Sequence, residues 1–313
     1  MRTRLSRRDL AALSAACLVL KPSFARGTAD EPARLTGAVA FDLGGTHERM
    51  PWRITLYIPP GAVPADGWPV LYLLDGNAVT ATAIDIERVQ APYPDATGIG
   101  TRFVVVGIGY PGDAPYDGSR RSWDYTPPPG RSYAPSKRGG PAIRTGGADE
   151  FLRFVLDDLR PAIARRCTVD PSRQAVFGHS FGGLFVLYAL SRAPAAFSHW
   201  IAASPSIYWE DAVVLGSIAD LERAAPKGAH VLLLAGAYEE ALAPFQRDAP
   251  DREARRTGLA TTRTPELTRE MTERLSRIPG VTSTFSLIPG RTHMTVLPEA
   301  LNAAVAFFLQ RPR

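Results

Sequence analysis

Gly178-His179-Ser180-Phe181-Gly182-Gly183 is the stretch that decides the fold of this 313-residue chain, because it fits the pattern G-x-S-x-G. In this pattern a strand turns sharply into a helix and lifts the serine hydroxyl clear of the sheet. Side chains at Gly178 and Gly182 are expected to clash in so tight a turn, and the serine backbone is expected to be strained. An apolar segment precedes the motif and another follows it, as a buried strand and a buried helix require. The alternative, a glycine-rich nucleotide-binding turn, needs a G-x-G-x-x-G spacing that this stretch lacks.

The motif points to nucleophilic chemistry at Ser180. A serine hydroxyl needs a base to attack an ester, and the chain has five histidines. His293 is the predicted base because it lies between the last predicted strand and the last predicted helix, where this kind of fold places it. The amide of Phe181 opens the helix after the serine and is a predicted oxyanion donor.

The acid and the second oxyanion donor are each predicted from a position directly after a predicted strand, 230–235 for the acid and 69–74 for the donor. An acid that orients the imidazole should lie between the serine and the histidine in the chain, which selects Glu239, with Glu240 as the alternative. Both glutamates would equally suit a solvated helix start. In the turn after the strand 69–74, the amide of Asn77 is the predicted second donor, and Gly76 is predicted to let the backbone approach the substrate. An ordinary turn at a strand end would explain the same residues.

Apolar runs alternate with helical patterns along most of the chain. Continuous runs such as 69–74 fit strands that are buried on both faces of a mainly parallel sheet. We therefore predict an α/β-hydrolase fold with a doubly wound, mostly parallel sheet in a single domain, residues 26–313. Residues 244–263 are expected to be irregular. The predicted strands are 53–58, 69–74, 103–108, 174–178, 199–203, 230–235 and 281–288, and the predicted helices are 148–167, 181–192, 265–277 and 297–309.

Residues 109–147 are rich in Gly, Pro, Arg, Ser and Tyr, and we interpret them as a long loop over the active site. Its cations and aromatic rings could bind a bulky anion, but a solvated loop whose charges have no such role is an equal alternative. Pairing of Arg121 with Asp124 would brace the loop instead. The residues concerned are Arg120, Arg121, Arg131, Lys137, Arg138 and Arg144, with Tyr116, Trp123, Tyr125 and Tyr133.

Residues 1–25 are typical of an export signal. Ser6-Arg7-Arg8-Asp9-Leu10 resembles a twin-arginine motif and precedes an apolar run that is too short to span a bilayer. Small residues end the segment at Ala25, so cleavage there and a periplasmic mature protein without stable membrane insertion are predicted. A basic amphipathic helix is the alternative. Lipidation of Cys17 is a further one, although the residues before Cys17 fit a lipobox poorly.

Charge and cysteine content exclude several classes of protein. The formal net charge is +5, but five of the 36 basic residues and one of the 31 acidic residues fall within residues 1–25. The remainder is close to neutral, so no nucleic-acid partner is expected. Beyond the signal only Cys167 remains, which excludes a disulfide framework and a cysteine-based metal site. No metal and no cofactor is expected.

The chain resembles the esterase D-like family from about Trp52 to Leu309, and within it the siderophore trilactone esterases, which hydrolyse enterobactin, salmochelin or bacillibactin. The resemblance implies catalytic roles for Ser180 and His293, and a Gly-x-x-Glu pattern after the strand favours Glu239, although some members work with a Ser-His dyad. The matching stretches are Val70-Leu71-Tyr72-Leu73-Leu74-Asp75-Gly76-Asn77-Ala78, Arg121-Ser122-Trp123-Asp124-Tyr125-Thr126-Pro127, Gly146-Gly147-Ala148-Asp149-Glu150-Phe151, residues 178–185 and Ala202-Ala203-Ser204-Pro205-Ser206-Ile207-Tyr208-Trp209.

The resemblance implies a serine esterase that opens a catecholate siderophore lactone through an acyl-enzyme. A ferric tris-catecholate is bulky and anionic and needs cationic groups on an open cleft. The predicted substrate contacts are Gly76, Arg121, Tyr125 and Trp209. The alternatives are a general carboxylesterase, an acyltransferase similar to the mycolyltransferases, and a non-catalytic siderophore-binding protein, which the intact motif disfavours. A formylglutathione hydrolase is disfavoured because its substrate is cytosolic.

Overall fold

The computed structural model describes residues 35–45, 50–134 and 142–310 of the chain. The predicted export signal, residues 1–25, therefore lies outside the described residues, as do Lys137 and Arg138. Among the described residues, no helix has both the length and the apolar character needed to cross a membrane.

The strands form one large sheet and one short pair. They are β1 (Ala38–Leu43), β2 (Trp52–Tyr57), β3 (Trp68–Leu74), β4 (Val104–Gly109), β5 (Ser132–Tyr133), β6 (Ile143–Arg144), β7 (Val169–His179), β8 (His199–Ala203), β9 (Ala229–Gly236) and β10 (Val281–Ile288). The helices are α1 (Gly76–Gln90), α2 (Pro94–Thr97), α3 (Gly118–Asp124), α4 (Ala148–Arg153), α5 (Arg160–Ala164), α6 (Phe181–Arg192), α7 (Trp209–Ala212), α8 (Ile218–Ala224), α9 (Arg252–Thr262), α10 (Thr264–Ser276) and α11 (Leu297–Leu309).

The large sheet has the order β1-β2-β4-β3-β7-β8-β9-β10. Strands β1, β2 and β4 pair antiparallel, and all the other neighbours in this sheet pair in parallel. The predicted α/β-hydrolase fold with a mostly parallel sheet is thus confirmed. Because the parallel strands point the same way, their carboxyl ends share one edge, where open α/β sheets place their binding sites.

The core explains why the central strands were predictable. Every residue of β3 and of β4 is buried, as the continuous apolar runs required. Helix α6 is buried from Gly182 to Ser191, so the helix that follows the G-x-S-x-G motif is enclosed on all sides. Burial on this scale fixes the motif on a rigid base, which favours precise placement of its serine.

Three segments differ from their predictions. Residues 148–167, predicted as one helix, form α4 and α5 joined by π-helical turns at Phe154–Leu159, next to Pro161, which has no N–H to donate. Residues 109–147 are not structureless, because α3 starts where the carboxylate of Asp117 accepts two backbone amides. Residues 244–263 contain α9, which is mostly charged and polar and has no buried residue.

His199 is the first residue of β8 and His230 is the second residue of β9. Both lie at the edge of the sheet opposite to the carboxyl ends of the parallel strands, as predicted. Their rings stack with centroids 4.9 Å apart. Burial lowers the pKa of His199 to about 4, and the neighbouring His230 ring adds to this because it opposes a second positive charge. The folded protein therefore resists protonation of His199 in mildly acidic solution.

We expect the free energy of unfolding to fall as the pH is lowered from about 6.5 to about 4.5. In this window the unfolded chain protonates His199 near its ordinary pKa of 6.5 while the folded protein does not, so the unfolded state binds more protons. The stabilisation is complete above the unfolded pKa and is lost below it. A gap of two pH units is worth at most about 2.7 kcal/mol, and the partial exposure of His199 reduces this to about 1–2 kcal/mol.

Urea unfolding at about pH 7 and pH 4.5 measures this effect in the wild type and in His199→Gln. The variant should lose less stability between the two pH values because its side chain does not titrate. An equal loss in both proteins would show that His199 does not carry the acid sensitivity.

Candidate active site

The G-x-S-x-G motif forms the sharp turn that the sequence predicts. Strand β7 ends at His179, helix α6 begins at Phe181, and Ser180 between them has φ 60° and ψ −118°, a strained backbone conformation. A side chain at Gly178 would place its Cβ 2.2 Å from the carbonyl oxygen of Gly182, so a glycine is required there. The predicted clash at Gly182 is wrong, because a Cβ there would make only ordinary contacts, the nearest 3.5 Å away.

The loop after β8 contacts Ser180 on three atoms. The hydroxyls of Ser180 and Ser206 are 3.3 Å apart. The Ser206 amide donates to the Ser180 carbonyl at 3.1 Å, and the Ser180 amide donates to the carbonyl of Ala203 at 3.0 Å. These contacts hold the strained serine in place. The sequence stretch that contains Ser206 supported the family resemblance, but nothing in it indicated this contact.

Glu239 and His293 meet as predicted. Nδ1 of His293 lies 2.7 Å from Oε2 of Glu239, which is only 3% exposed. The other carboxylate oxygen accepts hydrogen bonds from the Ser204 hydroxyl at 2.5 Å and the Gly236 amide at 2.8 Å. Glu240, the alternative acid, is 42% exposed and forms an ion pair with Arg269. The geometry therefore selects Glu239 as the partner of His293.

The hydrogen bonds of Glu239 determine its charge. Burial raises the pKa of this carboxyl group, but the bonds from His293, Ser204 and Gly236 outweigh burial and leave the pKa below its ordinary value. Glu239 is therefore ionised at neutral pH and can stabilise a protonated imidazole. Because Nδ1 of His293 faces the carboxylate, Nε2 is the nitrogen that can exchange a proton with a substrate or a hydroxyl.

His179 connects the serine turn to the loop of the histidine. Its Nε2–H donates to the backbone carbonyl of His293 at 2.7 Å, and the two rings lie 4.7 Å apart. Burial lowers the pKa of His179 to about 3, and the His293 ring adds to this shift. His179 therefore stays neutral and keeps the proton that it donates. The sequence places His179 inside the motif but does not indicate this hydrogen bond, because its partner lies 114 residues away along the chain.

The two predicted oxyanion donors open neighbouring helices. Phe181 is the first residue of α6, and Asn77 lies in the first turn of α1, after Asp75 with φ 52°. A Cβ placed on Gly182 would lie 3.6 Å from Oδ2 of Asp75, so the two helix starts adjoin. The Asn77 side chain donates to the carbonyls of three loop residues, Tyr110, Gly112 and Ala114. This fixes the turn from which the Asn77 amide would act.

Gly76 has a different explanation from the predicted one. A Cβ at this position would lie 2.7 Å from the backbone of Gly107 in β4. The close approach of α1 to β4 therefore requires a glycine here, and the predicted role of Gly76 beside the substrate stays a prediction.

Tyr125 and Arg121 brace the floor of the site. Tyr125 is fully buried and its hydroxyl accepts the Asp75 amide at 3.0 Å, so the prediction that it contacts substrate is wrong. The Arg121 guanidinium forms two hydrogen bonds with the Asp75 carboxylate, at 2.9 and 3.0 Å. The predicted pairing of Arg121 with Asp124 is also wrong, because Asp124 accepts the indole N–H of Trp52. Whether Arg121 also contacts substrate stays a prediction.

The other described cations of the loop contact protein groups: Arg120 and Arg131 contact residues outside the loop, and Arg144 contacts a residue within it. Arg120 donates to the backbone carbonyls of Met50 and Pro51, which lie outside the loop. Arg131 forms an exposed ion pair with Glu210, and Arg144 packs over the ring of Trp123. The alternative interpretation, in which these charges do not serve the substrate, accounts for Arg120 directly.

One pocket is lined by the predicted oxyanion donor Asn77, and another is lined by the predicted base His293. The first, which we call the asparagine-side pocket, has a volume of about 550 Å³ and is lined by Asn77, Tyr116 and Arg121 among others. The second, the histidine-side pocket, has a volume of about 370 Å³ and is bordered by His293, Glu239 and residues of α9.

Trp209 lies beside one of the oxyanion donors. Its ring meets the ring of Phe181 edge-on at 4.9 Å, and the ring of Tyr133 packs against it at 5.4 Å. Trp209 is half-buried, so part of the ring faces solvent near the serine turn. Its predicted contact with substrate suits this position and stays a prediction.

The fold and the site together define a serine hydrolase that acts on carboxylic ester bonds. The chain belongs to the family described as Putative esterase, whose model matches residues 47–256. It is 34% identical over 284 residues to the ferri-bacillibactin esterase BesA of Bacillus subtilis, which covers 86% of this chain and 91% of that protein. It is 41% identical over 150 residues to a siderophore enterobactin esterase of Emericella nidulans, covering 46% of this chain and 48% of that one.

A solved structure supports the same family. The siderophore hydrolase EstB from Aspergillus nidulans superposes with a TM-score of 0.76 at 25% identity, and the match covers 91% of this chain and all of that one. The predicted resemblance to siderophore esterases is therefore confirmed.

Proposed function

We propose that the protein hydrolyses the ester bonds of a siderophore lactone through an acyl-enzyme on Ser180. The observation that carries the catalytic part is the pairing of His293 with the buried carboxylate of Glu239. The strained serine turn is tied to the same loop, because His179 donates to the backbone carbonyl of His293. Similarity to esterases of bacillibactin and enterobactin supports the substrate class.

In the first half of the reaction, the hydroxyl oxygen of Ser180 attacks the ester carbonyl carbon while Nε2 of His293 accepts its proton. The amides of Phe181 and Asn77 donate to the oxyanion that forms, and Glu239 stabilises the positive imidazole. The bond from the carbonyl carbon to the alcohol oxygen then breaks, and the alcohol leaves with the proton from His293.

In the second half, water replaces the alcohol. His293 accepts a proton from the attacking water and returns it to the oxygen of Ser180 as the acyl group departs as a carboxylic acid. No step needs a metal or an organic cofactor, because proton transfer and the two oxyanion donors supply the stabilisation.

The favoured substrate is a catecholate lactone of the enterobactin type, opened so that its iron can be released. A pocket lined by Asn77 and another lined by His293 support a large substrate. We place this activity in the periplasm, because residues 1–25 resemble a twin-arginine signal.

Chromatography of ferric and iron-free enterobactin, run beside p-nitrophenyl butyrate, tests this function in the purified mature chain. Fast opening of the trilactone with slow turnover of the simple ester is the expected result. Turnover of the simple ester alone would overturn the siderophore assignment and leave a general carboxylesterase with the same residues. Transfer of the acyl group to an added alcohol in preference to water would favour an acyltransferase.

A further inference from the structure

The hydroxyl of Ser206 is a buried polar group that contacts the nucleophile of the proposed reaction. Ser206 is only 2% exposed, and its hydroxyl oxygen lies 3.3 Å from that of Ser180. Among the described residues, this hydroxyl has no other hydrogen-bond partner. Because a buried hydroxyl needs a partner, the Ser206 side chain satisfies its hydrogen bonding through the oxygen that forms the acyl-enzyme.

The backbone on both sides of Ser206 fixes the position of this hydroxyl. The Ser206 amide donates to the Ser180 carbonyl at 3.1 Å, and the Ser206 carbonyl accepts the Trp209 amide at 3.1 Å. Pro205, whose ring fixes its own φ, packs so closely against α6 that a Cβ on Gly183 would lie 3.0 Å from it. The hydroxyl is therefore in place before a substrate binds, and its action needs no reorganisation of the loop.

The same loop also contacts the acid of the site. Ser204 is fully buried, and its hydroxyl donates to Oε1 of Glu239 at 2.5 Å. Its φ of 42° is unusual for a residue with a side chain, and backbone strain of this kind clusters at functional sites. Two hydroxyls that are two residues apart thus serve two members of the catalytic set, Ser204 the acid and Ser206 the nucleophile.

The proposed mechanism determines which of the two hydroxyls donates. The hydroxyl proton of Ser180 has to face Nε2 of His293, because that nitrogen accepts it when the serine attacks. A contact between two hydroxyls uses a single hydrogen, so the hydrogen in this contact belongs to Ser206. The Ser180 oxygen then accepts from Ser206 through one lone pair and attacks the ester carbon with the other.

We propose that Ser206 is a catalytic residue that stabilises the Ser180 oxygen as a leaving group during deacylation. In that half of the reaction water adds to the acyl carbon, and His293 accepts a proton from the water. The bond from the carbon to the Ser180 oxygen then breaks, its electron pair stays on that oxygen, and His293 returns the proton to it. Ser206 keeps its own proton and donates a hydrogen bond to the charge that develops on the oxygen. The inference rests on the proposed function, because it requires the acyl-enzyme on Ser180.

This hydrogen bond affects the two halves of the reaction in different ways. A donor withdraws electron density from the oxygen that accepts it, which makes the Ser180 oxygen a better leaving group and a weaker nucleophile. Removal of the Ser206 hydroxyl therefore slows the release of the acyl group and leaves the attack as fast as before or faster. A hydroxyl that only held the serine turn in shape would, when removed, displace Ser180 and slow both halves.

Carbamylation measures the two halves separately. p-Nitrophenyl N,N-dimethylcarbamate should transfer its carbamyl group to Ser180, and the release of p-nitrophenolate reports the rate of attack. Recovery of esterase activity after the reagent is removed reports the release of the group. We expect recovery in Ser206→Ala to be about tenfold slower than in the wild type, the size expected for one hydrogen bond to a charged oxygen, with attack as fast or faster. Recovery at the wild-type rate, or an attack that slows as much as the recovery, would overturn the proposal.

Ser191→Ala is the matched control, because it removes a buried serine hydroxyl from the same helix that Ser180 precedes. Ser191 is 4% exposed, lies at the other end of α6, and donates to the Tyr188 carbonyl at 2.7 Å. Its replacement should leave both the attack and the recovery as in the wild type. An equal slowing of recovery in Ser191→Ala would count against a specific role for Ser206.

The outcome is independent of the siderophore assignment, because the carbamate contains no part of a siderophore. Mass spectrometry of the peptide that contains Ser180 shows whether the carbamyl group is attached there. A wild type without this group on Ser180 would contradict the acyl-enzyme, so the proposed function and the inference would fail together. A wild type that carries the group, beside a Ser206→Ala variant that releases it equally fast, would leave the function intact and overturn only the inference.

Discussion

Replacing Ser180 with alanine is expected to lower kcat/KM for every ester substrate about 10⁶-fold and to leave the fold intact. Ser180 supplies the only atom that becomes bonded to the acyl group in the proposed mechanism. Its backbone conformation is set by the glycine at 178 and by the loop after β8, both of which the variant keeps. Only the background rate from the oxyanion donors and substrate binding should remain. Hydrolysis assays and thermal melting of the purified variant measure the two effects.

Ser206 provides a matched control, because its hydroxyl lies 3.3 Å from that of Ser180. A fluorophosphonate probe should label the wild type and Ser206→Ala but not Ser180→Ala. Labelling that is lost in Ser206→Ala and kept in Ser180→Ala would show that Ser206, and not Ser180, is the nucleophile. Wild-type protein that resists the probe altogether would instead support a non-catalytic binding protein.

Regular, buried elements were the predictable part of the fold. Strand β8 and helix α6 begin and end where the apolar pattern predicts, because burial on both faces requires apolar residues throughout. The bounds of β10 and α11 were also predicted, although β10 lies at a sheet edge and only Val281 in it is buried. Strand β1 was missed because it lies at the sheet edge, where most of its residues are at least partly exposed. Helix α9 was missed because its sequence is mostly charged and polar and none of its residues is buried, so no apolar face marked it as a helix.

The site was predictable where chain order alone fixes position. Each predicted member of the Ser, Glu, His set follows a parallel strand, so the common direction of the strands brings the three to one edge. The roles of Tyr125, Arg121 and His179 were not predictable, because they depend on partners that lie 46 to 114 residues away in the chain. A side chain next to a site in the sequence can equally face the core, as Tyr125 does.

Glu239→Gln is expected to lower kcat/KM about 10³- to 10⁴-fold while keeping the shape of the side chain. The amide can still occupy the cavity between Ser204, Gly236 and His293, but it is neutral and cannot stabilise the protonated imidazole. It also has an N–H₂ group that can face Nδ1 and favour the tautomer that holds its proton on Nε2, where the nitrogen cannot act as a base. The loss should therefore appear in kcat/KM for the trilactone and for simple esters alike.

Glu240→Gln is the matched control, because Glu240 is the next residue, is 42% exposed and pairs with Arg269 outside the set. An exposed pair of this kind contributes little, so kcat/KM should stay within about twofold of the wild type. A loss below tenfold in Glu239→Gln would mean that Ser180 and His293 work as a dyad. Glu239 would then serve to hold Ser204 and Gly236, and its replacement would lower the free energy of unfolding more than it lowers activity. Urea unfolding and kinetics of both variants separate the two roles of Glu239. If its carboxylate stabilises the protonated imidazole, Glu239→Gln lowers kcat/KM even where the free energy of unfolding is unchanged.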